Sequence, residues 1–144
     1  MLYDATNDRV PLEKEISYLE SYISLQQLRF KNQFFVKFTN EVECNGMSIA
    51  PMLFIPFVEN AFKHGLKNIV APGIEITLSC NEGNLNFEVV NRYSINDEQN
   101  KDATSGIGLV NTQKRLELLY PNMHKLEIRK HEGIFKVSLT IFSK

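Results

Sequence analysis

The chain has 144 residues, 43% of them hydrophobic and ten of them Phe, which is enough for one domain that buries roughly 68–70% of its unfolded surface. Sixteen Lys and Arg against seventeen Asp and Glu leave a net charge of −1, and no window gathers the cations that a phosphate backbone demands, so nucleic acid is excluded as a partner. The most apolar window, Ser48 to Phe62, is broken by Pro51, Pro56, Glu59 and Asn60 and falls short of the roughly 20 residues that cross a bilayer.

The first residues, Met1-Leu2-Tyr3-Asp4, lack the basic region and apolar core of a signal peptide. Pro11 then opens a segment in which Leu12, Ile16, Leu19 and Ile23 recur at helical spacing, predicting one amphipathic helix from Leu12 to about Lys31. A second stripe, Tyr18, Tyr22 and Leu25, widens its apolar surface, either for packing between neighbours or for docking on its own domain. Phe34, Val36 and Phe38 alternate with polar residues as a strand does, and Cys44-Asn45-Gly46 reads as a loop. From Pro51 to Gly65 the period is helical. Ile74, Ile76, Leu78 and Cys80 alternate with polar residues, and Asn81-Glu82-Gly83-Asn84 turns the chain into Leu85, Phe87 and Val89, a hairpin with one buried face. Asn91 to Ser105 is polar and aperiodic, which marks a candidate lid, and Ile107 to Tyr120 is helical up to Pro121. Leu126-Ile128 and Phe135 to Ile141 close the chain as a hairpin around Glu132-Gly133. Strands with a single apolar face imply a two-layer α/β sandwich with the helices covering one side of the sheet. Cys44 and Cys80 have no C-x-x-C partner and the domain is large enough to need no staple, which predicts unpaired thiols in a reducing, cytoplasmic setting.

Two elements can carry chemistry. On the helical wheel, Phe54, Phe57, Val58, Ala61 and Phe62 fall on one side of the Pro51–Gly65 segment and Glu59, Asn60, Lys63 and His64 on the other. That set supplies a metal ligand, a base and two phosphate partners, although a solvated helix face has the same outline. Gly106-Ile107-Gly108-Leu109 sits where the polar stretch meets a helix, so its free N–H groups can meet an anion, unless the glycines merely permit a turn.

Taken together, Pro51-x4-Pro56-x2-Glu59-Asn60-Ala61-x-Lys63-His64-Gly65 and Gly106-Ile107-Gly108-Leu109-x-Asn111-x3-Arg115-Leu116-x3-Tyr120 resemble the catalytic ATP-binding domain of LytS-type sensor histidine kinases. Leu12-Glu13-x-Glu15 through Tyr22-Ile23 to Arg29-Phe30 resembles the segment just ahead of that domain, so the likeness covers nearly the whole chain. It implies the Bergerat-type fold shared with gyrase, MutL and the heat-shock chaperone ATPases, a mixed, mostly antiparallel sheet with helices on one face. It also implies that residues 1–31 end a dimerisation and phosphoacceptor region and that residues 32–144 form the catalytic domain. By the same resemblance, Asn60 ligates Mg²⁺, Glu59 positions or activates the attacking group, Lys63 and His64 contact the triphosphate, Asn91 reads adenine, and Gly106, Ile107, Gly108 and Leu109 hold phosphate.

The implied activity is that of a two-component protein-histidine kinase, using Mg²⁺ and ATP to phosphorylate a histidine outside this chain. The implied partners are the upstream phosphoacceptor helix, a response regulator and a second copy in a full-length homodimer. The implied location is a cytoplasmic domain of a protein anchored in the inner membrane.

The chain departs from the wider pattern in two places. Many histidine kinases read adenine with the Asp of D-x-G-x-G, whereas here the stretch is Asn91-Arg92-Tyr93-Ser94-Ile95. An amide still accepts a hydrogen bond but without charge assistance. The family's acceptor histidine sits in an Asn-Pro-His-Phe-like motif, and none of His64, His124 and His131 has that context. These departures motivate an alternative, a degenerate non-catalytic module for nucleotide binding, dimerisation or docking. A hydrolase using Glu59 as base towards water is a third reading.

Overall fold

The computed structural model describes residues 9–30, 35–43, 46–65, 73–93 and 98–142, with residues 98–108 described by their backbone alone. In chain order the elements are β1 (Val10–Pro11), α1 (Leu12–Gln27), β2 (Val36–Glu41), β3 (Ser48–Ile49), α2 (Ile55–His64), β4 (Ile74–Asn81), β5 (Asn84–Arg92), α3 (Glu98–Leu119), β6 (His124–His131) and β7 (Ile134–Ile141). Two hairpins set the sheet. Glu82-Gly83 and Glu132-Gly133 all have positive φ, and each pair forms a two-residue loop whose twist matches the flanking strands. The main sheet runs β2-β4-β5-β7-β6, with β2 parallel to β4 and every other pair antiparallel. β1 and β3 form a separate antiparallel pair that ties the start of α1 to the segment ahead of α2.

Alternation along the strands gives the sheet two unlike faces. Ile74, Ile76 and Leu78 of β4, Leu85, Phe87 and Val89 of β5, and Val137, Leu139 and Ile141 of β7 are buried in one core with the apolar sides of all three helices. The opposite face carries Thr77, Ser79, Asn86, Glu88, Ser138 and Thr140 around a shallow depression, with Thr140 donating to Asn86 at 3.1 Å. The one-sided two-layer sandwich and the mixed sheet are as expected.

Of the two apolar stripes on α1, Leu12, Ile16, Leu19 and Ile23 are buried in this core, whereas Tyr18 and Leu25 stay 46% and 66% exposed. Tyr22 turns its ring edge onto Phe62, at 6.2 Å between centroids. Among the described residues no helix is long and apolar enough to cross a membrane.

Several expected bounds move. α1 stops at Gln27, with Leu28 to Phe30 in a turn, rather than running to Lys31, which with Phe34 lies outside the described residues. α2 starts at Ile55, because Pro51 to Phe54 form a turn. The expected lid from Asn91 to Ser105 is divided between its neighbours. β5 continues to Arg92 and α3 already begins at Glu98, while Ser94 to Asp97 lie outside the described residues. Glu98, Gln99, Lys101 and Ala103 all tolerate a helix well, so a helix can extend upstream without any apolar periodicity.

Cys80 is disulfide-bonded, correcting the expectation of unpaired thiols and removing that argument for a reducing compartment. The other cysteine, Cys44, lies outside the described residues.

Phe87 is 1% exposed, with Phe54 at 4.6 Å and Phe57 at 6.2 Å between ring centroids. Phe87→Ala should therefore cost about 3–5 kcal/mol. Val110→Ala, at a residue 46% exposed on α3, should stay within about 0.5 kcal/mol. Urea unfolding of both variants checks the contrast.

Candidate functional site

The two faces of α2 are set by which residues the sheet takes. Ile55, Phe57, Val58, Ala61 and Phe62 are buried, which leaves Glu59, Asn60, Lys63 and His64 on the open half. Successive residues stand roughly 100° apart on a helix, so these four occupy two flanks. Asn60 and His64 form one i, i+4 row and Glu59 and Lys63 the other. Asn60 and His64 are half-buried, Glu59 and Lys63 exposed. Glu59 faces α1: burial raises the pKa of the Tyr22 hydroxyl, the Glu59 charge raises it further, and Arg29 pulls it the other way.

Gly65 ends α2, its N–H bonding to the Ala61 carbonyl at 2.9 Å. A Cβ there would come within 2.6 Å of that carbonyl oxygen and 3.4 Å of the Asn91 side chain, so the absent side chain leaves room for a close approach. Asn91 occupies the next inward position of β5 after Leu85, Phe87 and Val89, paired across strands with Ile74 and Phe135, and is 3% exposed. Its Nδ2 donates to the Arg92 carbonyl at 3.2 Å. With Nδ2 engaged there, Oδ1 is the acceptor that the amide offers. The sequence alone leaves the amide free to present either group.

Tyr93 stands where D-x-G has its first glycine. Its N–H bonds to the Gly133 carbonyl at 2.8 Å, and Lys130 Nζ lies 4.9 Å from its ring centroid. The β6–β7 turn thus holds the Tyr93 backbone, and the residue is 8% exposed. Ile95, at the second glycine position, lies outside the described residues.

Gly106-Ile107-Gly108-Leu109 was expected at the start of a helix and instead lies within α3, eight residues and more beyond its first residue. Inside a helix each N–H is committed to the carbonyl four residues earlier, so in this conformation these amides are not free donors. Leu109 is buried on the same side as Thr112, Leu116 and Leu119. His124 places Nδ1 2.8 Å from the Tyr120 carbonyl at the end of α3, and exposed His131 lies 3.5 Å from Glu132 at the hairpin turn. Both belong to the hairpin, as expected.

Among the described residues no three His, Cys, Asp or Glu gather around a metal position. Asn60 nevertheless suits Mg²⁺, because a hard cation that keeps several waters and bridges phosphates can take one amide oxygen from the protein. Gly65 and Tyr93 are the site residues to which pattern reading assigned no role. A glycine directly after Lys63-His64 was their only available signal, since an aromatic after a strand is ordinarily core.

A family model described as Histidine kinase matches residues 1–34. The sensor protein LytS of Staphylococcus saprophyticus is 33% identical over 97% of this chain, which spans 26% of that protein. Among solved structures, the catalytic domain of histidine kinase ThkA superposes with a TM-score of 0.62 at 18% identity, covering 93% of this chain and 94% of that one. Full-length ShkA in complex with AMPPNP superposes with a TM-score of 0.60 at 14% identity, covering 93% of this chain and 31% of that one.

Since a Cβ at position 65 must displace either the Ala61 carbonyl or the Asn91 side chain, Gly65→Ala should destabilise the fold by about 1–3 kcal/mol. Thermal unfolding should show a Tm lower by several degrees.

Proposed function

From the 33% identity to the sensor protein LytS over 97% of the chain, together with the fold, we propose that the chain is the ATP-binding catalytic domain of a LytS-type sensor histidine kinase, transferring the γ-phosphoryl group of ATP to a histidine outside this chain. The chain spans about a quarter of the curated relatives' length. One observation carries the reading. The buried Asn91 amide abuts Gly65, immediately beyond the Glu59–His64 face of α2, so a group able to read a base adjoins groups able to hold a triphosphate. The AMPPNP complex of ShkA, which has the same fold, supports it.

In this reading Asn91 accepts from the 6-amino group of adenine through Oδ1, Lys63 and His64 contact the triphosphate, and Asn60 holds Mg²⁺. Held by Asn60, the metal would supply positive charge that offsets the charge of the phosphates. The unprotonated ring nitrogen of the acceptor histidine forms a bond to the γ-phosphorus as the bond to the β–γ bridging oxygen breaks, and ADP leaves with that electron pair. Glu59 takes a hydrogen bond, and then the proton, from the other ring nitrogen.

Gly106, Ile107, Gly108 and Leu109 contact phosphate after the chain around them leaves the helix. Each glycine costs the helix about 1 kcal/mol relative to Ala, which lowers the cost of that opening. Residues 1–31 end the phosphoacceptor and dimerisation region, and a response regulator receives the phosphoryl group. The domain lies in the cytoplasm, and the full-length protein is a homodimer anchored in the inner membrane.

Mg·ATP at 100 times its dissociation constant should stabilise the fold by about 2.7 kcal/mol, and no thermal shift would overturn the proposal. Asn60→Ala should remove only the metal-dependent part of ATP affinity, so equal loss in EDTA counts against its role. ATP should bind more tightly than GTP by about one hydrogen bond, roughly 0.5–1.5 kcal/mol, and Asn91→Leu should abolish that preference in competition titrations. Gly108→Ala should stabilise α3 by about 1 kcal/mol yet weaken ATP binding, an opposition that calorimetry resolves.

A further inference from the structure

Of the three carboxylates on α1, Glu13, Glu15 and Glu20, one is buried. Glu15 is 7% exposed, and its Oε1 accepts the Met52 N–H at 2.8 Å. Met52 has φ +59°, a left-handed conformation that is uncommon for a residue with a Cβ. From the opposite side Arg115 of α3 donates through Nη1 to the Met52 carbonyl at 3.2 Å and through Nη2 to the Pro51 carbonyl. The neighbouring peptide is held as well, because the Ala50 N–H donates to the Tyr120 hydroxyl at 2.9 Å. Upstream of α1, Val10 pairs with Ile49, and the Leu12 N–H reaches the Met47 carbonyl at 2.9 Å. The turn gripped in this way lies three residues before Ile55, the first residue of α2.

We propose that Glu15 and Arg115 are positioning residues for the ATP site. By clamping the Pro51-Met52 turn from α1 and α3, they fix where α2 begins and therefore where Asn60 and Glu59 stand. The clamp also makes α2 sensitive to the placement of α1, since a shift of α1 carries Glu15 away from the Met52 N–H and releases the left-handed turn. Arg115 cannot be replaced by Lys without loss, because a single ammonium does not reproduce a planar fork directed at two successive carbonyls. Glu15→Gln, by contrast, keeps an oxygen that accepts from Met52. The inference rests on the proposed ATP-binding function.

The test measures the dissociation constants of ATP with Mg²⁺ and in EDTA, together with Tm, on the whole chain and its variants. Glu15→Ala should weaken Mg·ATP binding about tenfold, the scale of one hydrogen bond to a charged group. Binding in EDTA should change less than about twofold, because Asn91 and Gly65 are untouched. Glu15→Gln should stay near wild type, and Arg115→Lys should lose roughly threefold. Met52→Gly alone should be neutral, and in combination it should restore most of the affinity lost in Glu15→Ala, since glycine adopts the left-handed turn without a clamp. If Glu15→Ala does not fold, Arg115→Lys and the double variant carry the same comparison. A lower Tm with both affinities unchanged, or a Glu15→Gln as impaired as Glu15→Ala, overturns the inference alone. A wild-type chain that binds no Mg·ATP overturns the proposed function and this inference with it.

Discussion

The rotation of α2 about its own axis determines what the rest of the molecule can present. Phe54 and Phe57 close on Phe87 of β5, and Val58, Ala61 and Phe62 fill the same core, so about half of the helix is committed to the sheet. A fully buried side chain of this kind contributes about 1.5–3 kcal/mol, and turning α2 by one residue would expose several of them together. That apolar contact turns Glu59, Asn60, Lys63 and His64 to the open half of the helix.

A second constraint acts at the other end of the helix. Asn91 puts an amide on the inward side of β5, a position that Leu85, Phe87 and Val89 fill with apolar side chains. A buried amide is costly unless bonded, and the Arg92 carbonyl takes its donor. Gly65 is the matching concession on α2, where any side chain would meet the Ala61 carbonyl or the amide itself. Helix and strand thus approach each other at a polar group within an otherwise apolar layer, an arrangement suited to recognising a flat polar ligand and of little benefit to packing alone.

α3 illustrates a conflict between local and longer-range preferences. Leu109, Leu116 and Leu119 anchor its second half in the core, while its first half continues through Gly106 and Gly108 to Glu98. A helix once nucleated extends at little cost through residues such as Glu, Gln, Lys and Ala. The glycines make that extension weak where the proposed phosphate contacts lie. Arg115, further along the same helix, bonds the turn that precedes α2, so α1 and α3 both contact that turn.

Much of this was legible in the sequence. Period-2 alternation with Glu-Gly turns gave both hairpins, the 3.6 period gave α1 and α2, and the wheel of α2 separated its core residues from its candidate site residues, because side-chain direction follows directly from backbone period. The start of α3 was not legible, since residues 98–105 have no apolar periodicity and their helicity depends on the anchored turns C-terminal to them. Nor was the disulfide at Cys80, since two cysteines far apart in sequence leave no local mark of pairing. Sequence by itself determined which residues are apolar, which turn and which repeat, and from these the one-sided sheet and the polar face of α2. Tertiary structure alone decided that Asn91 meets Gly65 and that Glu15 and Arg115 converge on Met52 from 37 and 63 residues away. Such contacts depend on the register and approach of whole elements, which no local pattern encodes.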